Sequence, residues 1–187
     1  MPTVVIASPK GGAGKSTAAI ILGTELAHAG ADVVMLDCDP NHSLTLWADR
    51  GALPDRIKVL SNVTESDIVK TIKQYDTDGQ IVVVDLEGVA SRLVSRAISQ
   101  ADLVITPMRA TTLDATIGVR ALQLIAEEEE ALDRKIPHAV VFTMTKAIRS
   151  KQHSGIAESL AGQGVDLINP PLMERAAFSA PFEFGGN

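Results

Sequence analysis

The amino-acid sequence predicts a three-layer α/β fold, with a mainly parallel sheet flanked by helices on both faces. Three observations carry this reading. Short β-branched runs recur along the chain, most of them are apolar at every position, and segments of helical character separate them. A strand that is apolar throughout is buried on both faces, which requires helices above and below the sheet. Strands alternating with helices imply right-handed crossovers between parallel neighbours.

In chain order, strands are expected over residues 3–7, 32–36, 80–84, 102–106 and 139–143, where Val, Ile, Leu and Met dominate. Helices are expected over 16–29, closed by Gly30, and over 43–49, 64–75, 90–99 and 113–132. With 187 residues and 45% apolar positions, the chain suits one well-filled core, so a single domain over 1–187 is expected. The tail over 182–187, ending Gly-Gly-Asn, reads as frayed or cut short.

Composition removes several function classes. No stretch has the length and purity of a transmembrane helix, and charged residues interrupt the N-terminal apolar run before it could serve as a secretory signal. A cytoplasmic protein without membrane attachment is expected. The single cysteine, Cys38, excludes a disulfide framework and a CxxC metal or iron–sulfur site within one chain, and reads as a buried thiol. A net charge of −6 argues against a protein that coats nucleic acid with its whole surface, and 3% aromatic residues are too few for a base-stacking platform. The run Glu127 to Glu130 is no metal site, because consecutive helical residues point in different directions; it reads as a solvated helix end.

The chemistry concentrates after the first strand, in Lys10-Gly-Gly-Ala-Gly-Lys-Ser-Thr17. Glycines at Gly11, Gly12 and Gly14 let the backbone, with Ala13 between them, wrap around phosphate with its N–H groups inward. The helix opening at Lys15 adds a favourable dipole. Lys15 is suited to the β/γ-phosphates, Ser16 to Mg²⁺, and Thr17 to the α-phosphate side. The second strand run leads into Asp37-Cys38-Asp39-Pro40-Asn41, presenting two carboxylates at the edge where open α/β sheets bind ligands. Carboxylates beside phosphate repel it unless a metal or water intervenes, so Asp37 suits a water-mediated contact to Mg²⁺ and Asp39 suits positioning of the attacking water. Helix capping ahead of Ser43 is the structural alternative. A third acid, Asp85, ends another apolar strand in the form of a Walker B segment, followed by Leu86, Glu87 and Gly88.

Pro9 stands where the ordinary phosphate-loop pattern has its first glycine, and Lys10 precedes the double glycine. That loop resembles the deviant Walker A loop of the ParA/MinD family of ATPases, and the resemblance covers nearly the whole chain. It implies a P-loop NTPase fold, ATP and Mg²⁺ as cofactors, and a homodimer formed on ATP binding, in which Lys10 reaches the phosphates held by the partner subunit. Lys10, Lys15 and Asp39 are then the catalytic set. Pro40 and Asn41 form one switch, with Asn41 where the family commonly has glutamine. Glu87 and Gly88 form the other, with the Gly88 N–H placed to sense the γ-phosphate; Glu87 competes with Asp39 as a carboxylate but reads better as an outward ion-pair partner. The late segment from Asn169 to Phe178 resembles the family's adenine-side loop, so backbone near Pro171 and Leu172 is expected at the base. Its Met-Glu-Arg-x-Ala-Phe form is similar to ParA-type accessory ATPases of DNA transfer and to small plasmid-partition ATPases.

What the chain lacks narrows the task. Cluster-carrying relatives need bridging cysteines, kinases of this loop type carry a tyrosine cluster where Tyr75 stands alone, and no basic amphipathic helix of the MinD kind is seen. The resemblance therefore implies a DNA partitioning and segregation ATPase. ATP drives sandwich dimerisation, the dimer binds DNA nonspecifically and associates with the nucleoid, and a ParB-like or other adaptor stimulates hydrolysis. Lys146, Arg149 and Lys151 are the expected DNA contacts, with Arg92, Arg96 and Arg120 weaker candidates. The alternatives are a metabolic enzyme of the same fold, such as a dethiobiotin-synthetase-like ligase, and a MinD-like positioning ATPase.

Overall fold

The computed structural model describes residues 2–51, 53–76, 79–88, 91–146 and 151–174. The chain runs β1 (Thr3–Ile6), α1 (Lys15–His28), β2 (Asp32–Cys38), α2 (Ser43–Ala48), β3 (Ile57–Leu60), α3 (Ile68–Tyr75) and β4 (Gln80–Leu86). It continues through α4 (Arg92–Ile98), β5 (Leu103–Arg109), α5 (Thr112–Leu132), β6 (His138–Thr143), α6 (Lys151–Gly162) and β7 (Asp166–Ile168). These seven strands form one parallel sheet in the order β3-β2-β4-β1-β5-β6-β7. The order reverses beside β1, which makes the carboxyl end of that strand a topological switch point and the place where a ligand crevice opens.

Although the strands are apolar throughout, their period of two still sorts side chains between layers. Val5, Val34, Leu36, Val82, Val84 and Val104 join the core under α3, α4 and α5. Val4, Ile6, Val33, Met35, Val83 and Ile105 join the core that includes α1 and α2, where Leu44 and Trp47 are buried. A third cluster of Met108, Val140, Phe142 and Leu160 lies beneath α5 and α6.

All five expected strands and five expected helices are present, and the differences have local causes. The strand β3, Ile-Lys-Val-Leu, and the strand β7, Asp-Leu-Ile, are edge strands too short and too polar to stand out as apolar runs. The helix α6 carries two glycines and two serines that weaken its apolar stripe. Strands β2 and β4 run two residues beyond their apolar runs, through Asp37–Cys38 and Asp85–Leu86, because ladder hydrogen bonding continues past the point where hydrophobicity stops. The helix expected over 64–75 begins at Ile68, since Thr64 and Asp67 form a turn in which the Thr64 N–H donates to the Asp67 carboxylate at 2.6 Å.

Cys38 is a buried free thiol, and burial, reinforced by Asp37 and Asp85, pushes it up to about 12. Glu129 accepts from the Lys135 ammonium at 2.8 Å and from the Ile136 N–H at 2.7 Å, so it ties off the end of α5. No cluster of metal-ligating side chains occurs among the described residues by their grouping alone, and among them no helix is long and apolar enough to cross a membrane.

The turn that returns α1 to β2 depends on Gly30 at φ +94°. Its N–H donates to Ala27 O at 3.0 Å, and the Ala31 N–H donates to Leu26 O at 3.0 Å, a Schellman closure that needs a left-handed residue between them. Gly30→Ala is expected to lower unfolding free energy by about 1–2 kcal/mol in urea titrations, with an unchanged denaturant slope.

Candidate functional site

The loop between β1 and α1 is shaped by backbone freedom and by tethers from neighbouring strands. Gly12 and Gly14 adopt φ +71° and +87°, conformations that side-chain-bearing residues rarely tolerate. Gly14 is the N-cap of α1 and supplies no side-chain cap, so the first N–H groups of the helix face the loop's concavity. The Thr143 hydroxyl of β6 donates to Ala13 O at 2.8 Å, and the Arg109 guanidinium of β5 donates to Gly12 O at 3.3 Å. From the other side, Gly88 abuts the loop so closely that a Cβ there would lie 2.9 Å from the Gly11 nitrogen.

The loop bounds a cavity of about 620 Å³ lined by Gly11, Gly12, Gly14, Lys15, Ser16 and Thr17 on one side. Asp39, Pro40, Asn41, Glu87 and Gly88 also line it, with Met144, held at φ +51°. The buried Lys15 ammonium lies 3.9 Å from Asp39 Oδ2, while Asp39 Oδ1 accepts from both the backbone and the side-chain amide of Asn41, at 2.9 and 2.8 Å. One carboxylate oxygen is thus locked and the other faces the lysine.

Asp37 and Asp85 are opposite each other in the β2–β4 ladder, both buried. Asp37 Oδ2 accepts from the Thr45 N–H at 2.8 Å and the Thr45 hydroxyl at 2.7 Å, leaving Oδ1 buried without a partner. Asp85 is 0% exposed, and neither of its oxygens has a hydrogen bond of acceptable geometry. Burial pushes its carboxyl up to about 7, against the pull of the nearby Ser16 hydroxyl and Lys15 ammonium. Buried carboxylate oxygens are seldom without partners, and these are of the kind that bind a cation or water. The Ser16 hydroxyl with two carboxylates is an all-oxygen donor set of the kind that suits a hard divalent cation.

Other expected residues fall differently. Lys10 does not turn into this cavity; its ammonium forms an ion pair with Asp114 of α5 in the same chain. Pro171 and Leu172 do not line the cavity either. The Leu172 N–H donates to Phe142 O at 2.8 Å and its carbonyl accepts from the Thr145 N–H at 3.2 Å, so its backbone is engaged in extending the sheet beside β6. Lys146 and Lys151 are exposed on either side of residues 147–150, and Arg149 lies outside the described residues. Arg92, Arg96 and Arg120 are all exposed, and Arg96 donates to the Glu65 carbonyl at 2.6 Å.

Sequence reasoning missed Thr45, Arg109, Asp114, Thr143 and Met144. Only Asp114 left a trace: Thr111-Thr-Leu-Asp114 has the spacing of a capping box, and Thr111 does cap α5. That pattern announces a helix start and gives no hint of Lys10.

Comparison with known proteins agrees with this architecture. The family model described as VirC1 protein matches residues 1–186. The chain is 69% identical over 188 residues to Protein ParA of Rhizobium radiobacter, covering 100% of this chain and 85% of that protein. Among solved structures, the MinD cell division protein of Aquifex aeolicus superposes with a TM-score of 0.76 at 20% identity, covering 100% of this chain and 88% of the other. A cobyrinic acid a,c-diamide synthase of Mycobacterium smegmatis, with bound ADP and magnesium, gives 0.76 at 18% identity, over 98% and 92%. Structural likeness at that identity establishes the fold, whereas a match over essentially the full sequence establishes kinship: the chain belongs to the VirC1 family and has the P-loop fold of ParA/MinD-type proteins.

Proposed function

We propose that this chain is a Mg²⁺-dependent ATPase that acts as a DNA-partitioning switch, dimerising on ATP, binding DNA nonspecifically and releasing it on adaptor-stimulated hydrolysis. The observation that carries the reading is the pairing of a phosphate-shaped cavity with buried carboxylate oxygens that lack partners, next to a lysine turned away from its own cavity. The 69% identity to a ParA protein supports the partitioning role.

The chain's residues divide the work by position. Lys15 and the N–H groups opening α1 hold phosphate charge, while Ser16, Asp37 and Asp85 are the residues that would hold Mg²⁺. Bound there, Mg²⁺ offsets negative charge on the phosphates. Asp39, with one oxygen fixed by Asn41 and the other facing Lys15, orients the attacking water. Gly88, already against Gly11, is placed for its N–H to respond to the γ-phosphate. Lys10 completes the phosphate site of a second copy. Lys146, Arg149 and Lys151 meet DNA phosphates, an interaction that weakens as salt rises. The metabolic-enzyme reading would need a polar substrate pocket beyond the phosphate cavity. Met144 lines both that cavity and an adjoining pocket with Arg109, Thr111, Lys146, His153 and Glu174, and what favours partitioning over a metabolic reaction is the 69% identity to a ParA protein.

Asp39→Ala with ATP and Mg²⁺ should trap a dimer in gel filtration and retard DNA in a mobility-shift assay; absence of both would sink the partitioning reading. Lys15→Ala should lose nucleotide binding by titration, whereas Lys10→Ala should bind within a few-fold of the parent, about 1 kcal/mol, and stay monomeric. Equal loss in both variants would contradict the cross-subunit role of Lys10.

Asp85 gives a pH test. Its folded-state carboxyl is raised from 3.8 to about 7, so without metal the folded state loses stability as pH rises through that window. The penalty reaches about 4 kcal/mol above pH 7. Asp85→Asn should therefore melt higher than the parent at pH 8 in EDTA, match it near pH 4, and gain nothing from Mg²⁺ with nucleotide. An Asp85→Asn melt below the parent at pH 8 would refute this account of the buried charge.

A further inference from the structure

Lys10 and Asp114 are 104 residues apart in sequence, yet they meet beside the loop. Asp114 is 5% exposed and is held from two directions by one residue. The Thr111 hydroxyl donates to Asp114 Oδ2 at 2.6 Å, and the Thr111 Oγ1 in turn accepts from the Asp114 N–H at 3.1 Å. The remaining oxygen, Oδ1, binds the Lys10 ammonium. Lys10 keeps 31% of its side chain exposed, so water and other anions reach it while its partner stays covered. Burial pushes the Asp114 carboxyl upward, but the Lys10 and Thr111 hydrogen bonds and the charges of Lys10 and Arg109 more than offset this and hold it below its usual range. The carboxylate therefore stays ionised and keeps its grip on the ammonium at neutral pH.

We propose that Asp114 is a latch for Lys10 within one chain, holding the ammonium until the phosphates of a second, nucleotide-loaded copy compete it away. The proposal rests on the cross-subunit reading of Lys10 and adds a threshold to it. Releasing Lys10 strands a buried carboxylate oxygen, which opposes release. A triphosphate carries more charge than a single carboxylate and overcomes that opposition. The Arg109 guanidinium, fixed to Gly12 O and acting on the same carboxylate, softens the cost without abolishing it. Contact between chains is then tied to the charge on the bound nucleotide.

The test uses the whole chain. Asp114→Asn keeps the side-chain size and the backbone N–H that donates to Thr111, and Asp114→Ser serves as a second variant should the first fold poorly. In light scattering at fixed protein concentration with Mg²⁺, the ATP midpoint for dimerisation is expected to fall on the order of tenfold in either variant. A midpoint that is unchanged or raised overturns the latch, while loss of dimerisation in Lys10→Ala would still uphold the cross-subunit role. Normal dimerisation by Lys10→Ala overturns both. A double-mutant cycle of Lys10→Met with Asp114→Asn, read by urea unfolding of nucleotide-free protein, gives an answer independent of dimerisation. Non-additive changes are expected, and additive ones would show that the ion pair holds nothing.

Discussion

The ladder between β2 and β4 brings Asp37 and Asp85 level with each other inside the protein, and much of the site follows from having to accommodate them. A buried carboxylate costs several kcal/mol unless it is paired. Asp37 recovers part of that cost from two donors on Thr45. Asp85 recovers little by direct bonding, and burial keeps its proton affinity high. Lys15 supplies positive charge from the start of α1, itself buried and close to Asp39. The first turn of α1, the end of β2 and the end of β4 are thereby committed to one another by charge as well as by packing.

The loop is positioned by a second, unrelated set of forces. Strand β1 lies between β4 and β5, so the loop that leaves it is reached by carboxylates from one side and by tethers from the other. Thr143 and Arg109 hold the carbonyls of Ala13 and Gly12, which fixes the orientation of both peptide planes in the loop. Gly88 closes against Gly11 with no room for a side chain. Movement of the β4–α4 connection would therefore be felt by the loop as direct steric contact.

The division between what could and could not be read from the sequence is a division between local and long-range information. Strands β1, β2, β4, β5 and β6 are apolar because they are buried on both faces, and that property is written in each run separately. Strands β3 and β7 are set by pairing with a neighbour, which a short polar-tinged segment does not advertise. The phosphate loop and the acids following the apolar runs have characteristic spacings. Thr45, Arg109 and Thr143 do not, because each acts through a hydrogen bond to a residue eight, 97 or 130 positions away. Leu172 shows the same limit: nothing in its sequence neighbours announces that its N–H donates to Phe142 O and its carbonyl accepts from the Thr145 N–H.

The helix α2 is only six residues long, too short to hold its place by its own hydrogen bonds. It is anchored at two points of opposite character: Thr45 grips the Asp37 carboxylate, and Trp47, two residues on, is sunk in the apolar core. His42, bent into the left-handed region at φ 49°, forms the corner from which the helix leaves the Asp39 turn. The segment is therefore a short lever with a carboxylate at its fulcrum and an indole as its load. Because Trp47 is the sole tryptophan in the chain, its fluorescence reports on the surroundings of this short segment and of no other part of the protein.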